Sequence, residues 1–346
     1  MRSSTPTLSV EKRKQILLSF TEESQGAEML DELLSRSEPF IAYNGFEPSG
    51  RMHIAQAMMT ALNTNAIIKA GGFMILYIAD IFAKLNHKMG GDINKIRDVG
   101  QYFIEVFKAC GMDLKHVKFI WATDFIRENC QQYFELVNDI SEFATLSRIS
   151  RTVQTMGRKE GDNLSLSQLI YPCMQATDVF LLNVDVCQLG VDQRKVNMLA
   201  IDYATETGRK KPIVLSHHML MSLKGTSNKM SKSDPDGAIF IEDSREDIIR
   251  KINRAICPPD IKENPLFEYI KHIIIRKIYP IVLCRKSYSN IEEVQADFEN
   301  LIANESQFRT DVADYIDKII QPIRDHFQTP ELQELLRRVE SYRVTR

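Results

Sequence analysis

Apolar positions change their period several times along the chain, and each change marks an element. To about Ser37, Ile16, Leu17, Phe20, Met29, Leu30, Leu33 and Leu34 recur on a helical period, so this first segment reads as amphipathic helix. Residues 39–46 form a short apolar run rich in aromatics, a strand pattern, which ends in Glu47-Pro48-Ser49-Gly50. Ile54, Met58 and Leu62, four apart, predict a helix that stops near Gly71-Gly72. Residues 73–78 and 117–121 repeat the strand pattern on either side of a long helix over 94–109, closed by Gly111. Residues 184–189 and 212–216 add two more strands, separated by a helix over 193–205.

Strand runs alternating with helical ones indicate an α/β chain: a doubly wound (Rossmann-like) parallel sheet of about five strands with helices on both faces. Residues 123–167 carry no strand signal and are expected to form an inserted helical pair. Past Gly237 the pattern is helical, with Ile291, Val294, Phe298 and Leu301 on one face and Val312, Ile316, Ile319 and Ile323 on another. Thr329-Pro330-Glu331 is a helix start, an N-cap followed by Pro at the first helical position. The expected division is therefore a sheet domain over 1–237 and an all-helical C-terminal domain over 238–346.

Composition narrows the function classes. The 346 residues are 44% hydrophobic and 26% charged, enough to bury a large core, which excludes disordered and low-complexity scaffolds. The formal charge of −2 argues against a general basic coat, while leaving room for a local basic surface. Cys110, Cys130, Cys173, Cys187, Cys257 and Cys284 include no CxxC pair, so neither a zinc knuckle nor a disulfide scaffold is expected, and a reducing compartment fits best. The N-terminus lacks the apolar segment of a signal peptide, and the longest apolar run, 73–79, falls far short of the roughly 20 residues of a bilayer span. A soluble, cytoplasmic protein is the expectation.

Two segments carry chemistry. Lys229-Met230-Ser231-Lys232-Ser233 sets two ammonium groups three residues apart among hydroxyls in a polar loop that could close on a polyphosphate. Ser49-Gly50-Arg51-His53, read through Met52, lies where a strand meets a helix N-terminus, a place that favours anions. Taken singly, the first is also a solvated turn and the second a helix cap. Asp80 ends the second strand and reads equally as a cap or a ligand.

Together they resemble the paired signatures of class I aminoacyl-tRNA synthetases, His53-Ile54-Ala55-Gln56 and Lys229-Met230-Ser231-Lys232-Ser233, in matching order and separation. Three further stretches, 43–50, 171–178 (Tyr171-Pro172-Cys173-Met174-Gln175-Ala176-Thr177-Asp178) and Gly190-Val191-Asp192-Gln193-Arg194-Lys195, are similar to tyrosyl-tRNA synthetases of the archaeal and eukaryotic type. The resemblance covers about residues 30 to 325, nearly the whole chain.

It implies a tyrosine site in which Tyr43 and Asp178 meet the phenol, and Tyr171, Gln175 and Gln193 the α-ammonium. Tyr171, Gln175 and Asp178, at i, i+4 and i+7, would share one helix face. It further implies ATP as substrate, with Gly45 and Glu47 on the floor, Gly50 and His53 at the phosphates, Gly190 and Asp192 at the ribose, and Lys229, Met230, Ser231, Lys232 and Ser233 closing over the phosphates. His53, Lys229 and Lys232 would be the catalytic groups. Mg²⁺ would accompany the phosphates, with no metal held by the protein itself. The partners implied are tRNA(Tyr) and a second copy of the chain, joined through 123–167, and no membrane. The family's anticodon-reading positions align with Ile273, which lacks a π face, and Gln307, which lacks a charge, so weak or altered reading of the first anticodon base is expected. A tryptophanyl enzyme shares both signatures, but an indole has no lone pair for a Tyr43 hydroxyl.

Overall fold

In the computed structural model, which describes residues 8–157, 162–229 and 236–343, a six-stranded sheet runs through the first two thirds of the chain. Its strands are β1 (Glu23–Gln25), β2 (Phe40–Phe46), β3 (Gly72–Ile78), β4 (Val117–Trp121), β5 (Val186–Cys187) and β6 (Ile213–Ser216), in the order β1-β6-β5-β2-β3-β4. The five strands expected from the hydrophobic runs are all present and mutually parallel. β2 and β3 are almost wholly buried, as strands covered by helices on both faces must be.

β1 was not expected. The segment to Ser37 is not continuous helix but helix Val10–Leu18, then β1, then helix Leu30–Leu34. Glu-Ser-Gln has no strand pattern of its own; it becomes a strand because it lies antiparallel on the edge of β6, with Gln25 opposite Val214. Pairing with a remote edge overrides local propensity.

Among its described residues the insertion holds three α-helices rather than two: Ala122–Glu128, Cys130–Phe143 and Leu146–Thr152, the last capped by the Thr145 side chain on Arg148 N–H. The C-terminal region is helical, with Arg245–Arg254, Glu305–His326 and Pro330–Ser341 as its main elements. It also contains one short hairpin, Ile281–Leu283 with Lys286–Tyr288. Its two-residue turn has Cys284 and Arg285 at φ of 48° and 67°. Asn-Gly or a similar pair usually signals such a turn, and neither residue here does.

The C-terminal region is fastened to helix Ile93–Ala109. Arg338 and Tyr342 both reach Asp98, at 2.9 and 2.5 Å, His326 meets Glu105 at 2.9 Å, and the Phe327 ring lies 5.6 Å from that of Tyr102. The same helix packs closely on the sheet at Gly100, where a Cβ would come within 2.5 Å of the Trp121 ring. Residues 239–241 run alongside 52–54, with Ile54 N–H donating to Ile239 O and Ile241 N–H to Met52 O. The chain leaving the lysine-rich signature is thereby laced to the segment that carries His53.

Candidate active site

The sheet opens at one place. β2 pairs with β3 along seven residues, from Phe40↔Gly72 to Phe46↔Ile78, but with β5 only at Ala42↔Val186 and Tyr43↔Cys187. β3 and β4 follow β2 to one side while β5 and β6 lie on the other, so β2 and β5 flank the switch point of the winding. Ligands of open α/β sheets bind at such a point, beyond the strand C-termini. A cavity of about 330 Å³ lies there.

One end of it is phenolic. Tyr43 rises from β2 with its hydroxyl buried and without a hydrogen-bond partner. Helix Leu166–Leu181, started by a Ser165/Gln168 capping box, brings Tyr171, Gln175 and Asp178 to the same wall. Asp178 is 2% exposed, and its Oδ1 accepts from Tyr77 Oη at 2.9 Å and Tyr133 Oη at 3.0 Å. Burial pushes the Asp178 carboxyl well above the usual range, while the two hydroxyls favour its charged form.

Further out, Tyr171 Oη donates to Glu47 Oε1 at 2.7 Å, and Asn86 Nδ2 reaches the same carboxylate at 3.1 Å. Gln175 Nε2 donates to Gln193 Oε1 at 3.1 Å, and Gln193 Nε2 to Thr155 O at 3.0 Å. The two glutamines thus brace each other beside the Tyr171–Glu47 pair.

The remaining wall is shaped for close backbone approach. A Cβ on Gly45 would meet only the Tyr43 ring, at 3.8 Å, so the missing side chain leaves open cavity. A Cβ on Gly190 would lie 2.5 Å from Met219 Sδ and 2.7 Å from Asp192 Oδ1. Gly50, with φ of 124°, turns the chain from β2 towards His53 but does not line the cavity. His53 Nδ1 accepts from Gln56 N–H at 3.2 Å. With Nδ1 accepting, the other ring nitrogen, Nε2, carries a proton and can donate.

Of the residues singled out in the sequence, Tyr43, Gly45, Glu47, His53, Tyr171, Gln175, Asp178, Gly190, Asp192 and Gln193 come together around this cavity. Lys229 ends strand Gly225–Lys229 with its backbone opposite Met221. Met230, Ser231, Lys232 and Ser233 lie outside the described residues. Gly237, beyond them, accepts from Leu223 N–H, so the chain before and after them is tied to one hairpin. Asp80 is a structural cap: Oδ1 accepts from Ile81 and Thr123 N–H, and Arg97 pairs with Oδ2 at 2.8 Å. Ile273 is fully buried and cannot meet a base, whereas Gln307 is exposed and donates to Asp311 at 2.8 Å.

Sequence reasoning missed Tyr77, Tyr133 and His217. His217 follows β6 and lines the cavity; Gln188 holds its Nδ1 at 2.7 Å, and burial pushes its pKa down to about 4, so the ring is neutral at ordinary pH. Its place just past a strand C-terminus was the available signal. Tyr77 sits in an apolar run and Tyr133 in the mixed stretch Gln131-Gln132-Tyr133-Phe134-Glu135, and neither gave one.

A doubly wound sheet with a split switch point, and a His53 segment laced to the chain at 239–241, are the features of a class I aminoacyl-tRNA synthetase. Residues 35–321 match the family of class I tRNA synthetases (W and Y), and the chain belongs to that family. It is 47% identical to cytoplasmic tyrosine–tRNA ligase 1 of Arabidopsis thaliana, over 97% of this chain and 90% of that one. Among solved structures, Leishmania major tyrosyl-tRNA synthetase in complex with tyrosinol superposes with a TM-score of 0.92 at 39% identity, covering 97% of this chain and 61% of that one. The Aeropyrum pernix tyrosyl-tRNA synthetase gives 0.88 at 31% identity, covering 96% and 99%. Within the family the chain groups with the tyrosyl-tRNA synthetases of archaeal and eukaryotic type.

Proposed function

We propose that this cavity activates L-tyrosine with ATP and passes the tyrosyl group to the 3′ end of tRNA(Tyr), the reaction of a tyrosine–tRNA ligase. The observation that carries the reading is the phenol end: a buried Tyr43 hydroxyl with no partner, in the same pocket wall as a buried Asp178 carboxylate. A substrate phenol between them accepts from Tyr43 and donates to Asp178. The ammonium then falls among Tyr171, Gln175 and Gln193, and the carboxylate faces the glycine-lined wall.

In the first step a tyrosine carboxylate oxygen attacks the α-phosphorus of ATP. The P–O bond to the β,γ-phosphates breaks, giving tyrosyl-adenylate and pyrophosphate. The substrate supplies the nucleophile, so the protein's part is positioning and charge stabilisation. His53 Nε2–H donates to a phosphate oxygen, Gly45 admits the nucleotide, and Asp192 accepts from the ribose beside Gly190. Lys229 and Lys232 are assigned to the departing pyrophosphate through the family resemblance. Mg²⁺ is expected to arrive on the ATP phosphates, where it shares their charge; among the described residues no group of three His, Cys, Asp or Glu side chains forms a site of its own. In the second step a terminal ribose hydroxyl of the tRNA attacks the acyl carbon and AMP leaves.

Residues 1–237 serve activation in this reading, and 238–346 carry the tRNA, with Gln307 the exposed candidate at the anticodon. Phe134, Leu146 and Leu166, each at least 67% exposed in or beside the insertion, support a homodimer formed there. Among the described residues no helix is long and apolar enough to cross a membrane; together with the Arabidopsis relative's name, this supports a cytoplasmic setting.

Amino-acid-dependent ATP–pyrophosphate exchange, without tRNA, tests the proposal with tyrosine, tryptophan and phenylalanine. The expected result is exchange with tyrosine alone, lost in Asp178→Ala. Exchange with tryptophan reassigns the substrate. A folded protein that binds tRNA yet exchanges with no amino acid overturns the reading.

A further inference from the structure

We propose that Tyr77 and Tyr133 are positioning residues that fix the Asp178 carboxylate for discrimination between tyrosine and phenylalanine; the inference rests on the tyrosine-binding reading above. Three separate elements converge on one atom. Asp178 belongs to helix Leu166–Leu181, Tyr77 to β3 and Tyr133 to helix Cys130–Phe143, and both hydroxyls reach Asp178 Oδ1, at 2.9 and 3.0 Å. A carboxylate oxygen offers two lone-pair directions. With both taken at Oδ1, the group cannot turn about its Cβ–Cγ bond without breaking two hydrogen bonds. Oδ2 is left to take the substrate O–H.

The donors are themselves held. The Tyr77 ring packs edge-on against Phe82 and Phe125, with centroids 6.4 and 6.1 Å apart. Tyr133 is 2% exposed, and its hydroxyl also lies 3.2 Å from Met174 O. Its one proton goes to the carboxylate, the shorter contact and the stronger acceptor. Burial pushes both phenols well above the usual range, so they remain donors at any working pH.

Discrimination follows from the immobility. When phenylalanine occupies the pocket, Oδ2 and the Tyr43 hydroxyl lose their partner, and a fixed carboxylate cannot swing away to find another. Without the two hydroxyls the carboxylate is free to turn or to take up a proton. The groups facing it are then Tyr43 from β2 and Tyr171 on its own helix.

The test compares Tyr77→Phe, Tyr133→Phe and the double variant with wild type in pyrophosphate exchange, using tyrosine and phenylalanine at varied concentration. Each hydroxyl is expected to lower kcat/KM for tyrosine about tenfold. The value for phenylalanine should hold or rise and the ATP KM should stay put, so the tyrosine/phenylalanine ratio falls about tenfold per hydroxyl. The tyrosine KM should also climb at a higher pH than in wild type as the medium is acidified, because a carboxylate without its donors protonates earlier. An unchanged ratio and pH profile in folded single variants, even with a lower Tm, would assign both hydroxyls to packing and overturn the proposal. The single variants are read individually, so instability of the pair leaves the decision with them. Absence of tyrosine-dependent exchange in wild type would instead defeat the underlying reading of the pocket.

Discussion

Gly190→Ala isolates the proposed nucleotide half of the site. Gly190 has φ −70° and ψ 156°, an extended backbone open to any residue, so alanine introduces no backbone strain and acts through its methyl group alone. That methyl would stand 2.5 Å from Met219 Sδ and 2.7 Å from Asp192 Oδ1, both closer than carbon can approach. Each neighbour is the end of a side chain that can rotate, so the fold relaxes at little cost and Asp192 leaves its place at the cavity wall. If Asp192 accepts from the ribose, one hydrogen bond to a charged group is lost, about 1.5–3 kcal/mol. This corresponds to an ATP KM raised about 10- to 150-fold. In the proposed reading tyrosine lies at the opposite end, against Tyr43 and Asp178, and its KM should change less than twofold. Pyrophosphate exchange at varied ATP and then varied tyrosine measures both, with Tm as a control for folding. An ATP KM unchanged beside a raised tyrosine KM would refute the placement of ribose at Gly190 and Asp192.

Two further outcomes follow from individual contacts. His53→Asn keeps an acceptor for Gln56 N–H but removes the Nε2 donor, so single-turnover adenylate formation should slow about 10²-fold with tyrosine affinity and Tm unchanged; an unaltered rate would reduce His53 to a cap. Glu242 is buried beside Tyr102, and desolvation pushes its pKa up to about 7 against the partial relief of Arg51. The folded state thus binds a proton between pH 4.5 and 7 that the unfolded chain does not, so this group lowers stability as pH rises through that window. Glu242→Gln should therefore raise Tm relative to wild type more at pH 8 than at pH 5, and equal shifts at both values would contradict the sign.

Local pattern and chemistry were legible without coordinates. Four of the five parallel strands announced themselves because a strand buried on both faces must be a nearly continuous apolar run, and the half-buried edge strand β4 by its short Val-Lys-Phe-Ile-Trp run. Ten of the residues singled out as ligands gather at one cavity: Gly45, Glu47, His53, Gly190, Asp192 and Gln193 near strand ends or helix starts, where a doubly wound sheet collects its functional groups, and Tyr43, Tyr171, Gln175 and Asp178 from within β2 and one helix face. Ile273 shows the limit: the motif position was readable, but its complete burial was not.

What the linear chain determined by itself was therefore the five parallel strands, the two signatures and the types of group that a tyrosine and a nucleotide require. Everything that depends on the meeting of distant segments was decided in three dimensions. Glu-Ser-Gln is a strand only because the edge of β6 lies beside it. The turn at Cys284-Arg285 takes positive φ because the flanking strands pair. His53 gains its tautomer from an amide three residues on, and its segment is held by the chain leaving the second signature. Tyr77, inside an apolar run, and Tyr133, on a helix of mixed polarity, meet only where β3 and the insertion deliver two hydroxyls to one oxygen of Asp178. A sequence records which groups are present, and hydrophobic periodicity tells which of them are inside. The distance between two buried polar groups belongs to the packing of whole elements, which only the folded chain specifies.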